Sequence, residues 1–218
     1  MAGFIETIKI HNWVMRIQRP DGPGPFPVVL MLHGWTGDEN SMWIFASRLQ
    51  KKVIILAPRG LFPARGTGFS WHAEIPTAWP WINDFIPAVE SLYKEMSVKN
   101  IADGNFAELN LLGFSQGAAL AYSVALMHPE WVTSLAALSG FLPDGASSWL
   151  GPDRLNGLPV FIAHGTQDIL VPVERARESV GSLQGAGAVV TYCEDDVGHK
   201  LSAKCFHGLE AFFKKVNC

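Results

Sequence analysis

The chain of 218 residues has few cysteines, no long apolar run and no secretory leader pattern. Its three cysteines, Cys193, Cys205 and Cys218, are odd in number and lack metal-ligand spacing, which favours free thiols in a reduced setting. No run of 18 apolar residues occurs, so we expect no membrane span. Because Glu6 and Lys9 interrupt the N-terminal segment with charges, we expect no signal peptide. The cysteine usage favours a cytoplasmic location.

Basic residues are also too few and too scattered for a nucleic-acid surface. Lysine and arginine together number 17 against 20 aspartates and glutamates, a net charge of −3, and they form no cluster. The sequence has neither repeats nor low-complexity tracts. Because 48% of the residues are hydrophobic, the chain can bury one sizeable core. We therefore expect a single domain over residues 1–218, present as a monomer or a homodimer.

Short apolar runs of strand length alternate with helical patterns along most of the chain. Residues 28–32 and 53–56 are almost continuously apolar, which is typical of strands covered on both faces. The first two strands adjoin through a turn and should pair antiparallel, whereas helices separate the later ones, as a parallel sheet requires. The predicted strands lie near 4–10, 13–18, 27–32, 53–57, 108–113, 133–138, 159–163 and 188–193, and the predicted helices near 40–50, 84–98, 116–128, 173–184 and 203–216.

These elements predict an α/β fold with a sheet of about eight strands, mostly parallel and flanked by helices. In larger proteins of this topology a cap domain can follow the strand at 133–138. Here the connection from Phe141 to Leu158 is too short for a separate cap domain. We therefore expect an open, shallow site that suits small or flexible ligands.

The segment Gly113-Phe114-Ser115-Gln116-Gly117 lies between a strand-like run and a helix-forming run. This context predicts a nucleophile elbow, a strained strand-to-helix turn that raises a serine hydroxyl out of the fold. The five-residue string alone is weak evidence, and Ser115 read alone is equally an ordinary serine at a helix N-terminus. Its placement between strand and helix favours a nucleophile.

A serine hydroxyl needs a base within hydrogen-bond reach and a third group that orients the base. After Ser115 the chain offers Asp168, in the loop that follows strand 159–163, and His199, in the loop that follows the last strand. The C-terminal ends of strands in an open α/β sheet converge on the crevice where sites form. The sequence therefore predicts a triad of Ser115, Asp168 and His199.

Other histidines and aspartates compete for these two roles. His207 is predicted on the solvent face of the last helix, and His33 and His164 are interpreted as supports of their loops. Asp195 and Asp196 lie in the same loop as the candidate base, close enough to orient its ring. The separate loop after strand 159–163 gives the more usual geometry and favours Asp168.

The strand at 27–32 leads directly into His33-Gly34-Trp35. A tetrahedral intermediate carries negative charge on the former carbonyl oxygen, and preorganised N–H groups stabilise it. The backbone N–H groups of Trp35 and Gln116 are the predicted oxyanion donors. Gly34 would let the backbone approach the substrate closely.

Aromatic residues are frequent in the predicted connections on this side of the sheet. A buried tryptophan is more often core than ligand wall, but an acyl pocket requires apolar walls with few polar groups. The candidates for the substrate pocket are Trp35, Trp71, Phe69 and Phe141, with Trp43, Trp79, Trp81 and Trp149 as weaker ones.

Five motifs in order resemble the carboxylesterase/phospholipase family of α/β-hydrolases, which includes the acyl-protein thioesterases. They are Leu32-His33-Gly34, Ala57-Pro58-Arg59-Gly60, Gly113-Phe114-Ser115-Gln116-Gly117-Ala118, His164-Gly165-Thr166-Gln167-Asp168 with Val171-Pro172, and Gly198-His199. The resemblance implies an α/β-hydrolase fold and a serine hydrolase of ester or thioester bonds, with neither a metal nor an organic cofactor. The chain departs from the thioesterase pattern after Gly34 and at His72.

The leading hypothesis is a serine carboxylesterase that acts on a small-molecule acyl ester of short to medium chain length through an acyl-enzyme. An acyl-protein thioesterase or lysophospholipase acting on long chains is the alternative, and a peptidase or perhydrolase ranks lower. A hydrolase-fold binding protein without catalysis is the remote alternative, because such proteins usually lack a member of the triad.

Overall fold

The computed structural model describes residues 4–49, 52–74, 79–97 and 99–216, which contain ten strands and four α-helices. The strands are β1 Ile5–Ile10, β2 Trp13–Gln18, β3 Phe26–Leu32, β4 Ile54–Pro58, β5 Phe62–Pro63, β6 Phe69–Ser70, β7 Gly104–Phe114, β8 Val132–Leu138, β9 Pro159–Gly165 and β10 Val189–Asp195. The α-helices are α1 Ile86–Glu95, α2 Gln116–Met127, α3 Val173–Gly185 and α4 Ala203–Lys215. Short 3₁₀ helices span Ser41–Arg48, Ile82–Phe85, Pro129–Trp131 and Ala146–Trp149.

Eight strands form one sheet in the order β1-β2-β4-β3-β7-β8-β9-β10. β1 pairs antiparallel with β2, and β2 pairs antiparallel with β4. The five remaining pairings are parallel, so the C-terminal ends of β3, β7, β8, β9 and β10 meet at one edge of the sheet. The predicted α/β fold with a mostly parallel sheet is confirmed.

Both faces of the sheet are covered, which explains the continuously apolar strands. Along β3, Val28 and Leu30 pack into the core under α1, α2 and α3, whereas Val29 and Met31 pack under α4 and the 3₁₀ helix Ser41–Arg48. All four side chains are fully buried. A strand buried on both faces has no solvent side, so its sequence cannot alternate.

Two predicted helices differ from the observed elements, and two short strands were not predicted. The segment predicted as a helix at 40–50 forms a 3₁₀ helix over Ser41–Arg48, and the helix predicted at 84–98 begins as 3₁₀ turns and ends at Glu95. Over two turns, spacings of 3.0 and 3.6 residues give nearly the same apolar pattern. The strands β5 and β6 have two residues each, too few for an alternating pattern to show in the sequence.

The prediction that the cysteines stay free is wrong for two of them. Cys193 in β10 and Cys205 in α4 form a disulfide, with a Cα–Cα distance of 5.7 Å and a sequence separation of 12. Nothing in that separation shows that the end of β10 and the first turn of α4 converge. Cys218 lies outside the described residues.

The connection between β8 and β9, residues 139–158, contains a single 3₁₀ helix, Ala146–Trp149. None of the helices in the described ranges has the length and apolarity needed to cross a bilayer.

Candidate active site

Ser115 lies between the last residue of β7, Phe114, and the first residue of α2, Gln116. Its backbone has φ 54° and ψ −118°, a conformation that is sparsely populated for any residue other than glycine. The Ser115 N–H donates to the carbonyl of Leu138 at the end of β8, at 2.8 Å. The strand–turn–helix context expected around Ser115 is therefore present.

Two glycines make this turn possible because no Cβ would fit. A Cβ on Gly117 would lie 2.1 Å from the carbonyl oxygen of Leu32, and one on Gly113 would lie 2.4 Å from the carbonyl oxygen of Gly117. Glycines are therefore required two residues before and two residues after Ser115, because the start of α2 lies against the end of β3 and against the end of β7.

Asp168 and His199 come from the loops after β9 and β10 and meet at the C-terminal edge of the sheet. The distance from His199 Nδ1 to Asp168 Oδ2 is 2.6 Å. Because a carboxylate only accepts hydrogen bonds, Nδ1 carries the proton, and Nε2 keeps its lone pair and can act as a base. The other carboxylate oxygen, Oδ1, accepts the N–H groups of Leu170 and Val171, each at 2.9 Å.

Ser115 and His199 open into the same cavity. The ring of Phe114 packs against the imidazole of His199 with a centroid distance of 5.0 Å. Within the described ranges the Ser115 hydroxyl makes no hydrogen bond to another protein group. Contacts between a nucleophile and its base are often long before substrate binds, so this geometry fits a serine–histidine pair.

The competing histidines are placed as the sequence predicted. His207 is exposed on α4. His33 Nε2 accepts the N–H of Gly60 at 2.9 Å, and His164 donates to the carbonyl of Val171 at 2.8 Å. Burial lowers the pKa of both His33 and His164 below the ordinary value of 6.5. Both are therefore neutral side chains that hold loops in place.

The competing aspartates bond elsewhere. Asp196 Oδ1 accepts the hydroxyl of Thr166 at 3.3 Å, and Asp195 Oδ1 accepts the N–H of Asp196 at 3.0 Å. Their positions in the His199 loop do not bring them to the imidazole, because the loop turns its ring toward β9 and Asp168.

The segment after β3 lies directly against Ser115. A Cβ on Gly34 would lie 3.3 Å from the Cβ of Ser115, so a larger residue would push the two segments apart by a few tenths of an ångström. In the described part of the chain no carbonyl accepts the backbone N–H of Trp35 or of Gln116. The next N–H, that of Thr36, donates to the carbonyl of Phe69 at 3.0 Å. Both predicted oxyanion donors thus remain available.

An ion pair fixes the far end of this loop. Arg59, just after β4, donates two hydrogen bonds of 2.7 Å to the carboxylate of Glu39. These bonds hold the pKa of Glu39 below its usual value. The guanidinium of Arg59 also lies over the ring of Phe69, 4.6 Å from its centroid.

The cavity has a volume of about 1050 Å³. Its polar wall contains Ser70, His72 and Gln116 beside Ser115, and its apolar wall contains Trp35, Trp79, Phe141 and Leu170. Trp35 and Phe141 therefore lie where the sequence put them. Trp79, a weaker candidate, and Leu170, which no sequence pattern singled out, complete the apolar side.

The structure corrects two pocket predictions. Trp71 is fully buried between Trp13 and His33 and does not line the cavity. Phe69 is likewise outside the cavity wall, because its ring packs under the guanidinium of Arg59. The sequence indicates that both rings lie in connections on the active-site side of the sheet, but it does not indicate which way either ring points.

No group of three or more histidine, cysteine or acidic side chains within the described residues is arranged to hold a metal ion.

A mostly parallel eight-stranded sheet with a positive-φ serine at a β-to-α turn is the arrangement of the α/β-hydrolase fold. A carboxylesterase from Mesorhizobium loti of known crystal structure has the same fold, with a TM-score of 0.80 at 21% identity over 96% of this chain and 98% of that one. A sequence model of the phospholipase/carboxylesterase family matches residues 81–217. The chain belongs to that family.

Curated relatives carry two kinds of name. An acyl-protein thioesterase 1 from Kluyveromyces lactis is 33% identical over 166 residues, 67% of this chain and 72% of that protein. A probable inactive carboxylesterase from Oryza sativa is 30% identical over 120 residues, 54% of this chain. The aligned chain spans about half the length of this rice relative, 49%. The names of the family and of these relatives are those of carboxylic ester hydrolases and of a related inactive protein.

Proposed function

We propose that this protein is a serine carboxylesterase that hydrolyses short- to medium-chain acyl esters through an acyl-enzyme. Ser115 is the nucleophile, His199 the general base and acid, and Asp168 the group that orients His199. The backbone N–H groups of Trp35 and Gln116 form the oxyanion hole. All five residues belong to one structural unit, and on this ground we also infer a single domain over residues 1–218.

One observation carries the proposal. A strained serine, Ser115, shares a cavity with an imidazole, that of His199, whose Nδ1 is bonded at 2.6 Å to a carboxylate with no exposed surface. Burying such a carboxylate is costly unless it is paired and hydrogen-bonded. An arrangement that orients an imidazole beside a serine in a cavity supports nucleophilic catalysis.

In the first half-reaction, Ser115 Oγ attacks the ester carbonyl carbon while His199 Nε2 takes the hydroxyl proton. The carbonyl π-electrons move to oxygen, and the N–H groups of Trp35 and Gln116 bind the resulting oxyanion. Each such donor is worth about 2.7–4 kcal/mol in the transition state. Collapse breaks the bond to the alcohol, which leaves with the proton from His199.

In the second half-reaction, water attacks the acyl carbon of the Ser115 ester. His199 takes a proton from this water and returns it to Ser115 Oγ as the carboxylic acid leaves. The Asp168 carboxylate stabilises the imidazolium in both halves and stays ionised. The open cavity, with no inserted domain above it, allows water to reach the acyl-enzyme.

The test of this proposal is the Ser115→Ala variant. We expect it to lose turnover of p-nitrophenyl butyrate by roughly a millionfold, as removal of a triad nucleophile does elsewhere. It should also lose labelling by a fluorophosphonate, which the unaltered protein takes up once per chain. The circular dichroism spectrum should not change. Retained turnover in the folded variant would refute the assignment.

Long acyl chains are the second candidate substrate. The cavity of about 1050 Å³ is at the upper end of ligand pockets, and the Kluyveromyces lactis relative is named an acyl-protein thioesterase. A panel of esters and thioesters with acyl lengths from C2 to C16 separates the two. The highest kcat/KM at C4 to C8 esters supports the first proposal, whereas the highest value at a C16 thioester supports the second.

A catalytically silent binding protein is the remote alternative, and the rice relative named probable inactive makes it worth testing. Fluorophosphonate labelling mapped to Ser115 by peptide mass spectrometry argues against it. A folded protein that is neither labelled nor active on any member of the panel would favour it.

A cytoplasmic location also stays a prediction. It rested on free cysteines, and the Cys193–Cys205 disulfide removes that ground, because disulfides persist mainly in oxidising compartments. Alkylation of thiols at the moment of cell lysis distinguishes the cases: three alkylated cysteines support the reduced location, and one contradicts it.

The oligomeric state, monomer or homodimer, also stays a prediction, and light scattering measures it.

A further inference from the structure

We propose that Ser70, Trp71 and His72 form a clamp that sets the position of the two oxyanion donors relative to each other. Trp71, which lies outside the cavity, is a positioning residue because it acts through the segment of Trp35 and through Gln116. Ser70 and His72 lie in the cavity wall and hold the side chain of Gln116 there. The inference rests on the proposed function, since it concerns the oxyanion hole of that same site. The three residues, called the clamp below, comprise the last residue of β6 and the two residues after it.

On one side the clamp holds the segment that leads to Trp35. The indole N–H of Trp71 donates to the carbonyl oxygen of His33 at 2.7 Å. The two rings also pack together, with centroids 4.5 Å apart, and both side chains are fully buried. The His33 carbonyl is two residues before the N–H of Trp35, so the Trp71 indole fixes the start of the oxyanion segment.

On the other side the clamp holds Gln116 by its side chain. The backbone N–H of Trp71 donates to Gln116 Oε1 at 3.2 Å. Gln116 Nε2 donates to the hydroxyl of Ser70 at 3.0 Å and to Nε2 of His72 at 2.9 Å. The same residue, Gln116, supplies the second oxyanion donor with its own backbone N–H.

The roles in this network are mutually consistent. His72 Nδ1 lies 2.7 Å from the carbonyl oxygen of Ala73, which can only accept, so Nδ1 carries the proton. His72 Nε2 is then an acceptor and requires the amide nitrogen of Gln116 to face it. This leaves Gln116 Oε1 to accept the N–H of Trp71, as observed. The Ser70 hydroxyl fits either orientation of the amide, since it also lies 3.4 Å from Gln116 Oε1. The Trp71 N–H, which can only donate, and the acceptor His72 Nε2 therefore define a single orientation of Gln116.

Trp71 thus joins both donors within one residue, through its side chain and through its backbone. An oxyanion hole works only if its N–H groups already point at the developing charge. A displacement of 1 Å at a reacting group can cost roughly a hundredfold in rate. A residue that spans the two donors controls that distance without contact with substrate. This accounts for the hydrogen-bonded polar side chains in the cavity wall beside Ser115.

The experiment compares Trp71→Phe with Trp13→Phe. Trp13 is the matched control, because it is fully buried and packs 6.3 Å from Trp71, but its indole N–H donates to Ser91, away from the site. Gln116→Met is the second variant, since it removes the side-chain bonds and keeps the backbone N–H. Active sites are counted by fluorophosphonate labelling, so that kcat refers to folded protein.

For Trp71→Phe and Gln116→Met we expect kcat to fall about ten- to a hundredfold with KM nearly unchanged. The Ki of a trifluoromethyl ketone, which forms an oxyanion adduct, should rise by the same factor, and the Ki of the product acid should not. Trp13→Phe should lower the melting temperature and leave kcat unchanged.

Two outcomes would overturn the inference alone: kcat within twofold of the unaltered protein in both clamp variants, or an equal loss in Trp13→Phe. If the unaltered protein neither hydrolyses esters nor takes up the label, the proposed function fails and the inference fails with it. If Trp71→Phe does not fold, the kcat of Gln116→Met and its Ki for the trifluoromethyl ketone test the inference.

Discussion

At the scale of single residues, the hydrogen bonds around Asp168 carry the candidate active site. Its two carboxylate oxygens have separate tasks, because one accepts backbone N–H groups of its own loop and the other accepts His199. The side chain has no exposed surface. The carboxylate is therefore held in one orientation, and the imidazole takes its tautomer from it.

Asp168→Asn tests this arrangement. An amide in the same place can donate to Nδ1 and so favours the tautomer that protonates Nε2, which cannot take the proton of Ser115. We expect kcat/KM to fall about 10⁴-fold, as in other triads. The measurement is turnover of p-nitrophenyl butyrate at pH 8.

Asp196→Asn is the control, because Asp196 lies in the His199 loop but bonds to Thr166. It should keep kcat/KM within about threefold, as a surface change away from the site does. Losses of similar size in Asp168→Asn and Asp196→Asn would contradict the assignment of Asp168.

At the scale of elements, the site depends on how loops pack on each other. Gly68 has φ +79°, and a Cβ there would lie 1.8 Å from the carbonyl oxygen of Thr36, in the loop that carries Trp35. Gly66 has φ +88° with nothing within 4 Å of such a Cβ. Both glycines have a positive φ, so a side chain would be strained at either position, and they differ in the space around them.

We expect Gly66→Ala to cost about 1–2 kcal/mol of unfolding free energy, the price of a left-handed alanine, and to keep its activity. Gly68→Ala should cost more, and kcat should fall at least tenfold because the oxyanion loop must move by on the order of 1 Å. Urea unfolding and active-site-normalised kcat measure the two effects. Equal kcat values for the two variants would contradict this account.

The disulfide between β10 and α4 encloses the loop that carries His199. Cross-linking residues 12 apart stabilises the folded chain by about 3 kcal/mol in the loop-entropy model. The double variant Cys193→Ser, Cys205→Ser should lose about this much unfolding free energy and some kcat, since the His199 loop then has one fewer anchor.

Cys218→Ser is the control for the disulfide and should match the unaltered protein. The measurement is the urea midpoint with and without dithiothreitol. Only chains that keep Cys193 and Cys205 should respond to the reductant. A midpoint of the unaltered protein that does not move on reduction argues against a stabilising disulfide.

At the scale of the whole molecule, two buried neutral histidines make stability depend on pH. Desolvation lowers the pKa of His33 and His164 from 6.5 in the folded state. The unfolded chain therefore binds more protons below about pH 6.5, and folding stability is fully present above that value and falls as the pH drops.

We expect the unfolding free energy to decline from pH 7.5 to 5.5, as measured by urea unfolding at fixed ionic strength. His33→Gln should flatten this decline because one of the two groups is gone. His207→Gln is the control, since His207 is exposed. A slope that His33→Gln does not change would show that other groups cause the decline.

Much of the fold and of the candidate site could be predicted because the sequence patterns that specify them lie within short stretches of the chain. Strand and helix periods, the elbow between β7 and α2, and the loops that carry Asp168 and His199 are each readable within about ten residues of sequence. The parallel order of the strands then follows from the helices between them. Since parallel strands share one edge for their C-terminal ends, residues in three separate loops could be expected to meet.

Side-chain direction was not readable in the same way. Trp71 and Phe69 lie in a connection on the predicted side, yet one turns to His33 and the other to Arg59. The partners are 38 and 10 positions away, so no local period records them. The Cys193–Cys205 bond was missed for the same reason, because it depends on how α4 docks beside β10.

The sequence by itself determined the class of fold, the order of its elements and the residue types at the three loop positions, because backbone propensity and apolar period act between near neighbours. Only the tertiary structure decided which tryptophans face the cavity, how Gln116 is oriented and which cysteines pair. These depend on contacts between segments far apart in the chain, where packing and hydrogen-bond satisfaction choose among directions that the sequence leaves equally open.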